Sequence, residues 1–212
     1  MPGLHSVIRA LLVVFFRVTT RCRVHGLENV PQRGPLLVVA NHLSLADPPL
    51  LGVSLGRPVA FMAKRELFRF PVIGFFLKRL GSFPVNRGHM DLDALRRAYR
   101  VLGDGNALAI FPEGRRSRTG RLQTAFRGAA QIAVRARVPV LPVAISGTEA
   151  LERPFGLFSR PKVTVNIGCP FYLPRANGPV SRQELDELTN LIMSAVAGLL
   201  PGAYRGDYGY KN

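Results

Sequence analysis

The segment 36–49 reads Leu36-Leu-Val-Val-Ala-Asn41-His42-Leu-Ser-Leu-Ala-Asp47-Pro48-Pro49. Its first five residues form the uninterrupted apolar run that is typical of a strand buried on both faces of a parallel sheet. The two prolines predict the start of a helix, with Asp47 near its N-cap. Ligands of open α/β sheets usually bind at the carboxyl ends of strands. The segment therefore predicts an α/β fold with a functional site close to His42.

Other apolar runs, bounded by glycine and proline, repeat this pattern along the chain. They predict strands at 35–40, 58–63, 107–111, 138–145 and 163–167. Helical spacing predicts helices at 91–102, 126–137 and 182–199. Strands that alternate with helices imply right-handed crossovers and a mainly parallel sheet flanked by helices. Because the chain has 212 residues and no internal repeat or linker, we expect a single α/β domain.

The first residues have apolar side chains at helical spacing. They predict a helix over residues 5–18 whose apolar stripe consists of Leu4, Ile8, Leu11, Phe15 and Val18. The uninterrupted apolar run 10–16 is much shorter than the roughly 20 residues needed to cross a bilayer. Arginines flank the helix, and Val13 and Phe16 make its outer face less polar than solvent exposure favours. We expect an amphipathic membrane-surface helix, and packing on the protein's own core is the alternative.

The chain is strongly basic. It has 29 Lys and Arg against 13 Asp and Glu, a net charge of +16, which attracts polyanions such as nucleic acid or an anionic bilayer. There is no tryptophan, and aromatic residues are not interleaved with the arginines of 115–137, as a base-stacking platform requires. Nucleic acid is therefore disfavoured. Cys22 and Cys169 are too few for a disulfide framework and match no metal-ligand spacing, so no metal is predicted.

His42 and Asp47 form a candidate dyad. A turn after His42 can fold Asp47 back onto the imidazole, and a carboxylate on one ring nitrogen fixes the tautomer and favours protonation of the other. The alternative is a loop histidine beside an N-cap aspartate. Ser44 lacks the Gly-x-Ser-x-Gly setting of a hydrolase nucleophile. Without a protein nucleophile, His42 would have to activate a hydroxyl of the substrate.

A second polar cluster, Phe111-Pro-Glu113-Gly114-Arg115-Arg-Ser117-Arg118, follows the predicted strand 107–111. No acidic residue lies between Glu113 and Glu149. The arginines in that interval are 115, 116, 118, 121, 127, 135 and 137. Arginine binds phosphate oxygens with a planar fork of donors. The cluster predicts an anion site, and a solvated basic loop and helix face is the alternative.

Four segments occur in an order that resembles the glycerolipid acyltransferase family, in particular bacterial 1-acylglycerol-3-phosphate acyltransferases, over residues from about 20 to 170. They are Asn41-His42-x4-Asp47, Gly81 to Arg87, Phe111-Pro-Glu-Gly114 and Val138-Pro-Val-Leu-Pro142. The resemblance implies transfer of a fatty acyl group from a thioester to the sn-2 hydroxyl of 1-acylglycerol-3-phosphate, giving phosphatidic acid. Acyl-CoA or an acyl carrier protein would be the donor, with no bound cofactor.

The resemblance also implies roles for individual residues. His42 is expected to be the general base and Asp47 its orienting partner. The substrate-binding residues expected are Arg87, Glu113, Gly114, Arg115, Asn41 and Ser117. Within this set, Glu113 is expected to orient Arg87 or Arg115 by ion pairing, or to bind a glycerol hydroxyl. The tetrahedral oxyanion would be stabilised by the loop around Asn41 or by the backbone near Gly114.

Two departures from the family pattern concern the acceptor. Arg115 stands where the family usually has threonine, and Phe126-Arg127-Gly128 stands where it usually has a lysine-rich turn. Another lysophospholipid, a glycolipid or an aminolipid is therefore an alternative acceptor. A non-enzymatic basic module that binds membrane or nucleic acid is the alternative from another class.

The expected organisation has three parts: a membrane-associating helix at 1–20, an acyltransferase domain at 21–200 and a poorly ordered tail at 201–212. We expect the chain at the cytoplasmic face of the cell membrane as a peripheral or monotopic protein. Its expected partners are a lysolipid, the anionic membrane surface and, as one of the two candidate donors, acyl carrier protein, but not nucleic acid. The apolar segment 70–77 is expected to line an acyl groove, touch the bilayer or pack in the core.

Overall fold

A computed structural model describes residues 2–79, 81–86, 91–174, 178 and 180–209. Within these residues seven strands form one sheet in the order β1-β7-β6-β2-β5-β3-β4. The strands are β1 Arg21–His25, β2 Leu36–Ala40, β3 Val59–Lys64, β4 Phe83–Val85, β5 Ala107–Ile110, β6 Val140–Ser146 and β7 Lys162–Ile167. Neighbouring strands are parallel except β6 and β7, which are antiparallel. The predicted α/β class with a mainly parallel sheet is confirmed.

Helices cover both faces of this sheet. They are α1 Pro2–Thr19, α2 Asp47–Ser54, α3 Pro71–Arg79, α4 Leu92–Gly103, α5 Gly128–Ala136 and α6 Arg182–Gly198. Strand β2 lies in the centre, and its side chains alternate between two cores. Leu37 and Val39 pack toward α4, α5 and α6, whereas Leu36, Val38 and Ala40 pack toward α1 and α2. The apolar run is continuous because neither face of β2 meets water.

Three elements differ from the sequence-based expectation. Strand β1 was not predicted because Arg-Cys-Arg-Val-His is polar, which an edge strand tolerates when one neighbour, here β7, supplies its pairing. Strand β4 has only three residues, too few for a periodic pattern. The segment 70–77 forms most of α3, and Phe70, Ile73 and Phe75 on it are exposed. The core-packing interpretation is therefore wrong for these three side chains.

Helix α1 is present, and it packs against α2 and β1. Phe16 is buried, so the expectation that it lies on the outer face is wrong. The exposed large apolar side chains described on α1, from residue 7 onward, are Val7, Leu11, Val14, Phe15 and Val18. No helix in the described part of the chain is long and apolar enough to cross a membrane. The contact of α1 with a membrane surface stays a prediction.

The segment after α6 is folded onto the domain as far as residue 209. Residues 202–204 and 206–208 form two 3-10 turns. The carbonyl of Tyr204 accepts a hydrogen bond from Leu122 N at 2.8 Å, and its hydroxyl donates to Glu149 Oε1 at 2.7 Å. Tyr208 Oη accepts from Ala125 N at 3.3 Å. The expectation of a poorly ordered tail from residue 201 is wrong for these residues, because their backbone and tyrosines bond to the body.

Candidate functional site

His42 and Asp47 lie together at the carboxyl end of β2. Nδ1 of His42 is 2.9 Å from Oδ2 of Asp47, and both side chains are buried. Asp47 is the first residue of α2, one position inside the N-cap residue Ala46. Its Oδ2 also accepts from the backbone N–H groups of Leu43 at 2.6 Å and Ser44 at 2.7 Å. These bonds close the turn that folds Asp47 back onto the imidazole.

The contacts of His42 define what its ring can do. A carboxylate only accepts hydrogen bonds, so Nδ1 carries the proton that it shares with Asp47. The other nitrogen, Nε2, is left with a free lone pair that can take a proton from a substrate. The ring also stacks on Phe111, with a centroid separation of 4.4 Å and an interplanar angle of 27°. The arrangement fixes one tautomer and one orientation of a potential base.

Thr148 completes the surroundings of Asp47. Its hydroxyl donates to Asp47 Oδ1 at 2.5 Å, and its side chain is fully buried. Sequence reasoning missed this residue because it lies 101 positions from Asp47. One feature of the fold points to Thr148. It lies two residues after Ser146, the last residue of β6, and β6 is the parallel neighbour of β2, so both strands end at the same edge of the sheet. Each carboxylate oxygen of Asp47 therefore has at least one donor in addition to the imidazole.

Glu113 holds the backbone of the histidine. It follows β5, its side chain is only 2% exposed, and Oε1 accepts from His42 N at 2.9 Å. Oε2 accepts from the backbone and side-chain N–H groups of Gln123, at 2.9 and 3.3 Å. Burial raises the pKa of the Glu113 carboxyl, against these hydrogen bonds, which lower it.

This geometry corrects the expected role of Glu113. Arg115 does not pair with it, because Arg115 Nε donates to Gln123 Oε1 at 3.0 Å. Both oxygens of the buried carboxylate accept from protein groups, His42 N and Gln123 N, and a contact with a glycerol hydroxyl stays a prediction. The other predicted partner, Arg87, lies outside the described residues. Glu113 and Gln123 are positioning residues of the loop that surrounds His42.

Asn41 and Ser117 also hold the backbone around the site, and their expected substrate-binding roles stay predictions. The Asn41 amide donates to Ile145 O at 2.8 Å and accepts from Ile145 N at 2.7 Å, which ties the end of β2 to β6. Ser117 N donates to His42 O at 2.8 Å, and Ser117 Oγ donates to Arg121 O at 2.6 Å. Both side chains are buried and have all these polar atoms engaged with protein.

Gly114 makes the turn between Glu113 and the arginines possible. Its φ of +68° lies in the left-handed region, and an added Cβ would stand 2.8 Å from a ring atom of Phe126. Both facts require glycine. Gly114 N donates to Phe111 O at 3.0 Å within the turn. The expected substrate-binding role of Gly114 itself stays a prediction.

The loop after Asn41 has no backbone N–H free for an oxyanion. His42 N donates to Glu113, and the next two N–H groups donate to Asp47. Leu45 N donates to Glu152 Oε1 at 2.8 Å, and Ala46 N donates to Ser44 Oγ at 3.1 Å. Of the two predicted oxyanion sources, the loop around Asn41 is therefore excluded for its backbone from 42 to 46.

The arginines divide into two groups. Arg115, Arg116, Arg118 and Arg121 are exposed on the loop that wraps around His42, and Arg116 forms an ion pair with Glu152. Farther along, Arg127 pairs with Asp186, and Arg135 stacks over Tyr99. Helix α5 runs away from the carboxyl edge, so Arg135 and Arg137 end near the start of β6. The first group belongs to the loop that is hydrogen-bonded to the backbone of His42 through Ser117 N.

Metal-ligand geometry is not found among the described residues, since no three His, Cys, Asp or Glu side chains converge there. Ser44 is buried, and its hydroxyl accepts from Ala46 N within its own turn. The described site therefore offers an oriented base, an inward-turned carboxylate and a basic rim. A hydroxyl compound with an anionic group fits this combination.

Comparison with known proteins agrees with this chemistry. The family model described as Acyltransferase matches residues 21–146. A chloroplast 1-acyl-sn-glycerol-3-phosphate acyltransferase from Brassica napus is 34% identical over 176 residues, which are 80% of this chain and 51% of that protein. The protein of the same description from Bacillus subtilis is 29% identical over 84% of this chain and 87% of its own length.

A solved structure shares the fold. The crystal structure of the 1-acyl-sn-glycerophosphate (LPA) acyltransferase from Thermotoga maritima superposes with a TM-score of 0.70 at 30% identity. The match covers 92% of this chain and 78% of that one. The chain spans only about half the length of the plant relative.

Proposed function

The chain belongs to the acyltransferase family, and from this premise we propose that it transfers a fatty acyl group from a thioester to the sn-2 hydroxyl of 1-acylglycerol-3-phosphate. The product would be phosphatidic acid, made for phospholipid synthesis. The observation that carries the proposal is the oriented imidazole. His42 Nδ1 is bonded to buried Asp47 at 2.9 Å, which leaves Nε2 as the base. Relatives named for this reaction support the choice of acceptor.

The reaction proceeds in one chemical sequence with His42 as the only proton carrier. Nε2 takes the proton of the acceptor hydroxyl as its oxygen attacks the thioester carbonyl. The tetrahedral intermediate then collapses, its carbon–sulfur bond breaks, and the leaving thiolate takes the proton back from Nε2. The Asp47 carboxylate favours the imidazolium that exists between these two transfers. Such a base contributes about 10²- to 10⁴-fold to the rate.

No acyl-enzyme takes part in this scheme. Ser44 is the hydroxyl nearest to His42 in sequence, but it is buried, its Oγ accepts from Ala46 N within its own turn, and the described partner of the His42 ring is Asp47 instead of Ser44. The attacking oxygen therefore comes from the acceptor. This property separates the proposed transferase from a serine hydrolase, which would release free fatty acid through a covalent intermediate.

The acceptor phosphate is held, in this proposal, by the basic rim. Arg115 and Arg118 are exposed on the loop that is tied to His42 O through Ser117 N, which places the backbone of this loop beside the base. Arg87 is included on the family resemblance alone. The oxyanion would be stabilised by the backbone that follows Gly114, because the N–H groups of residues 42–46 already have acceptors.

A membrane surface would present this substrate. Exposed Val7, Leu11, Val14 and Val18 recur along one side of α1, which supports contact with acyl chains, while the net charge of +16 supports an anionic bilayer. We propose a peripheral position on the cytoplasmic face. Both acyl-CoA and acyl carrier protein fit the chemistry as donors, because the reacting thioester is the same in the two.

The residue at position 115 favours a second candidate acceptor, a lysolipid other than lysophosphatidic acid. Arg115 stands where the family usually has threonine, and its exposed guanidinium adds a donor fork beside the phosphate site. A lysophospholipid with a second acidic group, or a larger headgroup, would use that donor. A panel of lysolipids at equal concentration separates this acceptor from lysophosphatidic acid by the ratio of kcat/KM values.

The test is acyl transfer by the purified full chain in detergent micelles, with labelled acyl-CoA and acyl carrier protein as separate donors. Wild type should convert lysophosphatidic acid into phosphatidic acid. H42A should lower kcat by about 10²-fold or more. H25A is the matched control, because His25 is exposed on β1, and it should keep wild-type activity. Full activity of H42A, or no acylated product from any lysolipid, would contradict the proposal.

A further inference from the structure

The segment 153–160 lies at the same edge of the sheet as the candidate base. It connects the 3-10 turn Thr148–Glu152 to β7. Strands β6 and β7 are antiparallel, with Ser146 opposite Thr164, so their connection leaves from the carboxyl end of β6. His42 follows the carboxyl end of β2, which is the parallel neighbour of β6. We call residues 153–160 the β6–β7 loop.

Two phenylalanines stand at the tip of this loop in open solvent. Phe155 is 82% exposed and Phe158 is 84% exposed, more than any other large apolar side chain described. Leu157 between them is exposed as well. Single exposed apolar residues are ordinary, but three in four consecutive positions form an apolar tip that water does not favour.

The loop's own hydrogen bonds hold the rings outward. Phe158 N donates to Phe155 O at 2.9 Å, and Ser159 Oγ donates to Gly156 O at 2.8 Å. Phe155 has a φ of +59°, a left-handed conformation that a bulky residue adopts only when its surroundings impose it. Gly156 lies so close to the preceding turn that an added Cβ would stand 2.2 Å from Ala150 O. The exposed tip is therefore a fixed feature of the fold.

The charged residues that follow Glu152 on and after the loop are all positive. Arg153 and Arg160 flank it, Lys162 follows, and the sequence contains no acidic residue between Glu152 and Glu184. Arg160 Nη2 donates to Arg17 O at 3.1 Å, which joins the loop to the last turn of α1. An apolar tip inside a ring of cations is complementary to an anionic bilayer, with acyl chains for the rings and phosphates for the cations.

Glu152 connects this loop to the site. Its carboxylate accepts from Leu45 N at 2.8 Å and pairs with Arg116. Leu45 is exposed and lies three residues after His42. The rim of the site therefore continues directly into the β6–β7 loop, so a membrane that touches Phe155 and Phe158 would lie next to this rim.

We propose that the β6–β7 loop inserts Phe155 and Phe158 into the interface of an anionic bilayer, as a second anchor beside α1. The inference rests on the proposed function in one respect, that the acceptor is a membrane lipid. Two separate anchors fix the rotation of the protein on the membrane, which a single helix does not. The lysolipid then enters the site from the surface on which the loop rests.

The first experiment measures binding of the full chain to vesicles by sedimentation. Vesicles of phosphatidylcholine with phosphatidylglycerol are compared with vesicles of phosphatidylcholine alone. The double variant F155N/F158S should bind the anionic vesicles at least about fivefold more weakly than wild type, since binding scales with the apolar area inserted. The control L92S/L191S removes two exposed leucines from α4 and α6 and should bind like wild type. Unchanged binding of F155N/F158S, or an equal loss in the control, overturns the proposal.

A second measurement uses the absence of tryptophan from the chain. F158W introduces a single tryptophan at the tip, and its emission, excited at wavelengths where the five tyrosines do not absorb, should shift to the blue with anionic vesicles and be quenched by brominated acyl chains. L191W on α6 should show neither change. Emission of F158W that is insensitive to vesicles overturns the insertion, whatever the stability of the double variant.

Activity separates this inference from the proposed function. On lysophosphatidic acid dispersed in detergent, F155N/F158S should keep kcat within about twofold of wild type, because neither ring contacts the dyad. On vesicles its apparent KM should rise. If F155N/F158S loses vesicle binding but keeps its activity on micellar substrate, the result supports the membrane-anchoring role of the β6–β7 loop independently of the catalytic reaction. Wild type that binds vesicles but acylates no lysolipid contradicts the proposed function and leaves the membrane contact standing.

Discussion

Glu113 Oε1 accepts a hydrogen bond from the backbone nitrogen of His42 at 2.9 Å, so a carboxylate after β5 fixes the position of a histidine after β2. The two strands are parallel neighbours in the sheet. The same carboxylate holds Gln123 through its other oxygen. The buried acid in the basic loop thus acts on the geometry of the base and not on the charge of the arginines.

E113Q should impair catalysis through position. An amide has one oxygen, so its NH2 group would face either His42 N–H or the Gln123 N–H groups and leave a buried donor unsatisfied, at a cost of about 1–3 kcal/mol. We expect kcat to fall by about 10- to 100-fold with KM nearly unchanged, because substrate contacts remain. Steady-state kinetics on micellar substrate give both values. E28Q, at an exposed site, is the control, and a pure KM effect in E113Q would contradict the positioning role.

Stability should depend on pH through the same carboxyl. Burial raises the pKa of Glu113 above its ordinary value, so the folded protein binds this proton more tightly than the unfolded chain does. The contribution of Glu113 to the free energy of unfolding is therefore complete below the ordinary pKa and is lost as pH rises through the folded pKa. The destabilisation caused by E113Q should shrink as pH rises from 4.5. Urea unfolding of both proteins over this range measures it, and a growing difference would reverse the assignment.

The central sheet was predictable from the sequence because burial on both faces leaves a continuous apolar run. Strands β2, β5 and β6 have that character, and their predicted bounds differ from the structure by at most two residues. The edge strand β1 was missed because its residues need not be apolar. The position of such a strand depends on its pairing with a neighbouring strand, here β7, and not on the hydrophobic pattern of its own residues.

The His42–Asp47 contact was also predictable, since both residues lie in one short turn. The surroundings of the pair were not. Thr148 reaches Asp47 across 101 positions, and only the strand order that places β6 beside β2 brings them together. Glu113 was assigned to its sequence neighbours because arginines follow it, but its burial excludes it from their solvated rim.

T148V tests the donor on the far oxygen of Asp47. Valine has nearly the same shape as threonine but cannot donate, so Asp47 Oδ1 would lose its 2.5 Å hydrogen bond. We expect kcat to fall by about 5- to 20-fold and the free energy of unfolding by about 1–2 kcal/mol. T148S, which restores a hydroxyl, should recover most of the kcat. Failure of serine to rescue would mean that the methyl group, and so packing, is what matters.

Removal of residues 202–212 tests the folded C-terminal segment. It eliminates the acceptor for Leu122 N and the hydroxyl that accepts from Ala125 N, both in the loop between Glu113 and α5. The shortened chain should lose about 2–4 kcal/mol of stability, in the range of lost buried bonds and packing, and its kcat should fall with the loss of loop order. Removal of 210–212 alone is the control, and the difference between the two truncations measures the contribution of residues 202–209. Thermal unfolding and micellar kinetics distinguish the two truncations.

R115T places at position 115 the residue that the family usually has. Arg115 is exposed on the loop around His42 and bonded only to Gln123 among the described residues, so its loss should not disturb the dyad. If its guanidinium contacts the acceptor phosphate, KM for lysophosphatidic acid should rise by about 3- to 10-fold with kcat within twofold, as expected for a contact made equally in ground and transition states. R33T is the control. It removes one positive charge at the opposite edge of the sheet and should leave KM for lysophosphatidic acid unchanged. An unchanged KM for lysophosphatidic acid together with a raised KM for a lysolipid of larger headgroup would assign Arg115 to that headgroup, because a charge acting only on the membrane surface would alter both acceptors alike.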